Sequence, residues 1–149
     1  MKFTTLCYIE KDNKYLMLYR NKKKNDLNEG KWICVGGKFE EKESPDECLL
    51  REVKEETGLT LTKYKLRCLV TFVSDKWETE HMYVYTADEF EGELKECSEG
   101  ELHWIDKDKV LDLPSWEGDR LFYEKMQQTK EFFTMKVEYK GDKLVSYKI

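Results

Sequence analysis

The sequence predicts a single α+β domain spanning residues 1–149, a sheet carrying at least two helices, on three observations. Segments rich in β-branched and aromatic residues recur along the chain. One segment carries a full set of helix start and stop signals, and a second has helical apolar spacing. At 149 residues the chain has the size of one domain, and 40% hydrophobic against 38% charged residues allows a core with a solvated exterior, which excludes global disorder. No repeat, low-complexity tract or interdomain linker interrupts it.

Phe3 to Ile9 and Lys14 to Arg20 are β-rich and flank the turn-forming Lys11-Asp12-Asn13, predicting a hairpin. The polar stretch Asn21 to Gly30 leads into Lys31 to Val35, a short buried-strand pattern closed by Gly36-Gly37. Ser44-Pro45-Asp46-Glu47 reads as a capping box with proline at the first helical position. The helix then runs through Glu56 to Gly58, a residue suited to the left-handed cap. Tyr64 to Ser74, Glu80 to Ala87 and Glu101 to Ile105 read as strands joined by acidic loops. Asp119 to Gln128 fits a second helix, and Phe132 to Tyr139 with Lys143 to Ile149 forms a closing hairpin across Lys140-Gly141-Asp142.

Charge and composition narrow the function. With 26 basic and 31 acidic residues the net charge is −5, so the chain has no general attraction for a nucleic-acid backbone, and no stable nucleic-acid partner is expected. No apolar run approaches the roughly 18 residues of a membrane span, and Met1 to Glu10 is too short and polar for a signal peptide, so a cytoplasmic protein without a membrane partner is expected. Five scattered cysteines without a C-x-x-C pair predict buried reduced thiols, and His81 and His103 lack metal-site spacing and are expected to be structural.

The informative feature is the first helix. At about 100° per residue, Glu52, Glu55 and Glu56 fall within one arc, beside an apolar stripe of Leu49, Leu50 and Val53. Two glutamates at this spacing would pass for a solvated face, but three like charges this close destabilise one another and call for a positive partner, while Lys54 projects away. Mg²⁺, with Mn²⁺ as an alternative, suits oxygen ligands at a cleft and keeps water and substrate phosphates in its shell. The chemistry predicted is metal-assisted phosphoryl hydrolysis.

Gly37, Glu43 and Arg51-Glu52-Val53-Lys54-Glu55-Glu56-Thr57-Gly58-Leu59 fill without a gap the 23-residue box that identifies Nudix hydrolases, and the chain resembles that family. The resemblance implies an α/β/α sandwich with a mixed sheet and cleavage of nucleoside diphosphates linked to another group. It also implies a metal and water site made by Glu52, Glu55, Glu56 and the Gly37 carbonyl, with Arg51 orienting a glutamate. Glu52 is the expected general base, with Glu55 and Glu99 as competitors, since a carboxylate near the bound water accepts its proton. Glu99 resembles the acid that a later loop supplies to the metal, with Glu101 the alternative. Glu43, ahead of the helix, is expected to interact with Arg51 or the helix amide end.

Outside the box the chain is similar to MutT-type 8-oxo-dGTP diphosphatases in Gly30-Lys31-Trp32, Gly36-Gly37-Lys38 and Pro114-Ser115-Trp116-Glu117-Gly118-Asp119. That likeness implies an oxidised purine nucleoside triphosphate as substrate, released as monophosphate and pyrophosphate. Trp116 could supply a stacking face and Asp119 a hydrogen-bonding carboxyl, although Asp119 also reads as a helix-start residue. Trp32 either stacks on a base or belongs to the core. Arg20, Lys38 and the Lys22-Lys23-Lys24 run are candidates for the phosphates. Where some sanitising relatives place an asparagine after the strand tryptophan, this chain has Ile33, which reads no base edge by hydrogen bonding. The alternatives are another nucleotide substrate, such as ADP-ribose, a dinucleoside polyphosphate or capped RNA, and a non-catalytic nucleotide-binding module. ADP-ribose-type relatives often carry a proline soon after the box, and the only prolines here are Pro45 and Pro114. No box glutamate is lost, as a binding module would allow, and a monomer is favoured.

Overall fold

The computed structural model describes residues 1–22 and 26–149, so Lys23 and Lys24 of the lysine run lie outside the described residues. In chain order come β1 (Lys2–Lys11), β2 (Lys14–Tyr19), β3 (Trp32–Lys38), α1 (Pro45–Thr57), β4 (Thr60–Ser74), β5 (Glu80–Glu91) and β6 (Glu101–Asp106). A 3₁₀ helix at Lys107–Asp112, α2 (Glu117–Gln128), β7 (Phe133–Lys140) and β8 (Lys143–Lys148) complete the domain. The strands form one mixed eight-stranded sheet in the order β6-β2-β3-β1-β5-β4-β7-β8, with β1–β5 and β4–β7 parallel. Among the described residues no helix is long and apolar enough to cross a membrane.

The strand β1 shows why both faces are covered. Its alternating side chains split between two cores: Cys7 and Ile9 pack with Leu49 and Val53 of α1, whereas Tyr8 packs with Phe122, Tyr123 and Met126 of α2. The two helices therefore lie on opposite faces, giving the α/β/α layering expected. All five cysteines are buried free thiols. His81 stacks on Phe3, and His103 sits at the surface beside Trp32.

Two local readings are corrected by the sheet. The predicted hairpin does turn at Asp12 and Asn13, both in the left-handed region, but β1 and β2 pair only at Glu10↔Tyr15 and Lys11↔Lys14. Beyond that they splay, and β3 inserts between them, pairing β2 through Trp32 to Cys34 and β1 through Val35 to Lys38. Gly36 and Gly37 thus continue the strand rather than closing it. Gly36 is required by close approach: a Cβ there would lie 2.7 Å from the carbonyl carbon of Thr5 and 2.9 Å from Leu6 Cα. The second helix also starts earlier than its apolar spacing indicates, at Glu117, so Asp119 lies within its first turn while Trp116 occupies the cap position without a side-chain cap bond.

Candidate active site

The carboxylate helix is built as its sequence predicts. Ser44 Oγ accepts from the Glu47 amide at 3.2 Å, the Glu47 carboxylate accepts from the Ser44 amide at 2.9 Å, and Gly58 ends the helix at φ 83°. Packing on β3 then brings the Glu52 carboxylate against Gly37, where a Cβ would stand 2.7 Å from Glu52 Oε1. A side chain at position 37 would have to displace that carboxylate, so the strand glycine and the helix glutamate belong to one arrangement. The Gly37 carbonyl also accepts from the Cys48 thiol at 3.6 Å.

Arg51 organises the acids around it. Its Nε and Nη2 donate to the two oxygens of Glu43 at 2.6 and 2.9 Å, a bidentate pairing that fixes the guanidinium plane. Its Nη1 then donates to Glu52 at 2.8 Å and Glu55 at 3.2 Å, and Nη2 reaches the Lys38 carbonyl at 2.9 Å. Glu43 is held below the usual carboxylate range, chiefly by its hydrogen bonds to Arg51. Glu52 moves the other way, because burial outweighs its bond to Arg51 and raises its affinity for a proton.

Although the helical wheel groups the three glutamates, the structure separates them. Glu55 is 59% exposed at the side chain and turned to Arg51, whereas Glu56 is only 7% exposed. Neither oxygen of Glu56 has a hydrogen-bond partner. Burial first, then the negative charges of Glu99 and Glu52, push its carboxyl well above the usual range. Glu99 comes from the loop before β6 and pairs with Arg20 Nη1 at 2.7 Å, while Arg20 Nε is taken by Asp26 at 2.7 Å. Glu101 instead meets Asn21 and His103 at the surface. Among the described residues no group of three acids, cysteines or histidines stands ready as a closed metal cage. The donor set nevertheless fits a hard divalent cation: an orphaned buried carboxylate at Glu56, flanked by Glu52, Glu99 and the backbone of the glycine strand, lacks a positive partner of its own.

Glu52 and Glu99 border a cleft of about 230 Å³. Its lining also includes Gly36, Gly37, Lys38 and Arg20, the apolar Leu6, Leu27 and Ile33, and the polar Asn28, Thr4 and Glu80. Trp116 does not line it. The ring is 4% exposed, enclosed by Phe72 and Tyr139 edges with the Lys31 ammonium 4.4 Å from its centroid, and it reaches the cleft only through Nε1–H, which donates to Asn28 Oδ1 at 2.8 Å. Asp119 lines a small neighbouring cavity with Tyr8, Trp32 and Ile33, and burial followed by the charge of Glu80 pushes its carboxyl up to about 7. Asp26, Asn28, Thr4 and Glu80 escape sequence reasoning, since each looks like an ordinary loop or strand-end polar residue until the strands are ordered.

A helix whose Glu52 lies against a glycine strand, at the border of a cleft shared with Glu99, has the form of a carboxylate-based hydrolase site. The model of the NUDIX domain matches residues 2–126, and the chain belongs to the Nudix hydrolases, a family of pyrophosphohydrolases. It is 32% identical over 120 residues to the uncharacterised Nudix hydrolase YvcI of Bacillus subtilis, covering 77% of this chain and 72% of that one. It is 31% identical over 132 residues to the oxidized purine nucleoside triphosphate hydrolase of Danio rerio, covering 88% and 83%. The crystal structure of a mutator MutT protein from Bacillus halodurans superposes with a TM-score of 0.88 at 29% identity, over 99% of this chain and 97% of that one.

Proposed function

We propose that this chain hydrolyses oxidised purine nucleoside triphosphates, 8-oxo-dGTP foremost, to the monophosphate and pyrophosphate, and so clears damaged nucleotides from the pool. The observation that carries the reading is the cleft: one space is lined both by the carboxylates Glu52 and Glu99 and by an apolar wall of Leu6, Leu27 and Ile33 that suits a planar base. Similarity to the Danio rerio oxidized purine nucleoside triphosphate hydrolase over most of both chains supports this substrate class.

Glu52, Glu56, Glu99 and the Gly37 carbonyl would hold Mg²⁺, or Mn²⁺ in its place, with Glu55 close by. When bound, the ion supplies charge neutralisation on the diphosphate and lowers the pKa of its water. The chain's own residues do the rest. Glu52, raised in proton affinity and oriented by Arg51, accepts the proton of the attacking water, a role for which Glu55 and Glu99 compete. Arg51 is a positioning residue, itself set by Glu43. Lys38 and Arg20 face the phosphate chain, while Asp119 and the Asn28 side chain held by Trp116 border the base.

The test is turnover of 8-oxo-dGTP, dGTP, other triphosphates, ADP-ribose and a dinucleoside polyphosphate with Mg²⁺, with products identified. The reading requires 8-oxo-dGTP to be preferred and pyrophosphate to be released. Glu52→Gln and Glu56→Gln should each abolish metal-dependent turnover with the fold intact. A much better substrate outside the purine triphosphates would overturn the substrate assignment, and full turnover in both variants would overturn the site.

A further inference from the structure

We infer that Glu80 determines base specificity in this cleft: its carboxylate accepts the paired N1–H and N2–H donors of a guanine-type base, so the site selects guanine nucleotides over those lacking the 2-amino group. The inference rests on the nucleotide reading above and names the part of the substrate that this side chain recognises.

Glu80 opens β5 opposite Lys2 of β1, and its side chain, only 11% exposed, lines the same cleft as Glu52 and Glu99. Its Oε2 accepts from Thr4 Oγ1 at 2.7 Å, and its Oε1 lies 3.4 Å from Lys2 Nζ. Lys2 and Thr4 are two apart on β1 and so share a face, which clamps the carboxylate from one side. Two carboxylate oxygens offer about four acceptor sites, and these contacts use one on each oxygen. The carboxylate therefore presents fixed acceptors inside a cleft whose neighbouring walls, Leu6, Leu27 and Ile33, read no hydrogen-bonding pattern. A carboxylate's parallel acceptors match two parallel N–H donors, the geometry that pairs it with a guanidinium. The guanine edge carries that pair, hypoxanthine carries only N1–H, and adenine sets an unprotonated ring nitrogen against the carboxylate.

Oxidation at C8 leaves N1–H and the 2-amino group unchanged. Glu80 therefore separates guanine from other purines and does not separate oxidised from unoxidised guanine. This distinguishes it from a residue that supports the pocket generally.

The experiment measures kcat/KM for dGTP, dITP and 8-oxo-dGTP with the wild-type chain and with Glu80→Gln, which keeps the shape and replaces one acceptor by a donor. Wild type is expected to favour dGTP over dITP about tenfold, the effect of one charge-assisted hydrogen bond. In Glu80→Gln that ratio should fall to within about twofold, by loss on dGTP, while the 8-oxo-dGTP to dGTP ratio stays within about twofold of wild type. Equal kcat/KM for dGTP and dITP in the wild type, a comparison that needs no variant to fold, would overturn the inference. An unchanged ratio in Glu80→Gln would do the same while leaving the hydrolase reading intact. Absence of turnover on every purine triphosphate would remove both.

Discussion

Replacing Glu56 by glutamine sets stability against function in a single side chain. Glu56 is 7% exposed, and both of its oxygens lack hydrogen-bond partners. A buried carboxylate without partners bears the desolvation cost of its charge, and here the negative charges of Glu99 and Glu52 add to it while Arg20 offsets part. Glutamine keeps the shape and removes the charge. We expect Glu56→Gln to be more stable than wild type by about 1–3 kcal/mol at pH 8 in EDTA, a rise in Tm of about 5 °C for a chain of this size. Millimolar Mg²⁺ should narrow or close that gap. Saturation to a hundred times Kd stabilises wild type by about 2.7 kcal/mol, and the variant should gain less than a third of that. Thermal denaturation followed by circular dichroism, with and without Mg²⁺, reads both effects. A variant less stable than wild type in EDTA, or one with the full Mg²⁺ shift, would refute the view of Glu56 as an acid held in place for a cation.

Two further substitutions test the surroundings. Asp119 has its pKa raised to about 7 in the fold, above its unfolded value of 3.8, so between those pH values the folded chain keeps a proton that the unfolded chain has released. Wild-type stability should therefore fall as pH rises through that window, and the advantage of Asp119→Asn should grow from near zero at pH 4 to at most about 4 kcal/mol at pH 8, read from urea midpoints; an advantage independent of pH would contradict the assigned cause. Gly36→Ala drives a methyl group into the Thr5 backbone and should cost about 3 kcal/mol or more, and a denaturation midpoint equal to wild type would show that β1 and β3 can separate there.

How far the site could be read in the sequence depended on how local each feature was. The capping box and the Gly58 cap of α1 arise within one helix, and the structure places them as the pattern predicts. The wheel could not tell Glu55 from Glu56, because the difference is made by what the helix packs on: Glu56 turns in toward Glu99, while Glu55 turns out to Arg51. The insertion of β3 between β1 and β2 was hidden for the same reason, since a good turn at Asp12-Asn13 says nothing about which strand fills the space beyond it. The two carboxylate partners of Arg20 were hidden in the sequence: Asp26 lies in the loop that follows it, and Glu99, far along the chain, comes beside it only once β2 and β6 lie side by side. Trp116 looked available for stacking until the sheet supplied Phe72 and Tyr139 around its ring.

The strand β1 links the surroundings of Glu52 and Glu80 through its alternation. Thr5 points toward α1 and meets the Cys48 thiol at 3.5 Å, beside the Gly37 carbonyl. Thr4 and Lys2 point to the opposite face and hold Glu80. Consecutive residues on a strand must face opposite ways, so a single short segment sets both positions, and the pairing of Gly36 and Gly37 with Leu6 and Thr5 locks its register to β3. A slip of one residue would turn Thr4 toward α1 and withdraw the clamp on Glu80 while also displacing Thr5 from Cys48. The surroundings of Glu52 and of Glu80 are in this way fixed by the same register, and the close approach at Gly36 is where that register is enforced.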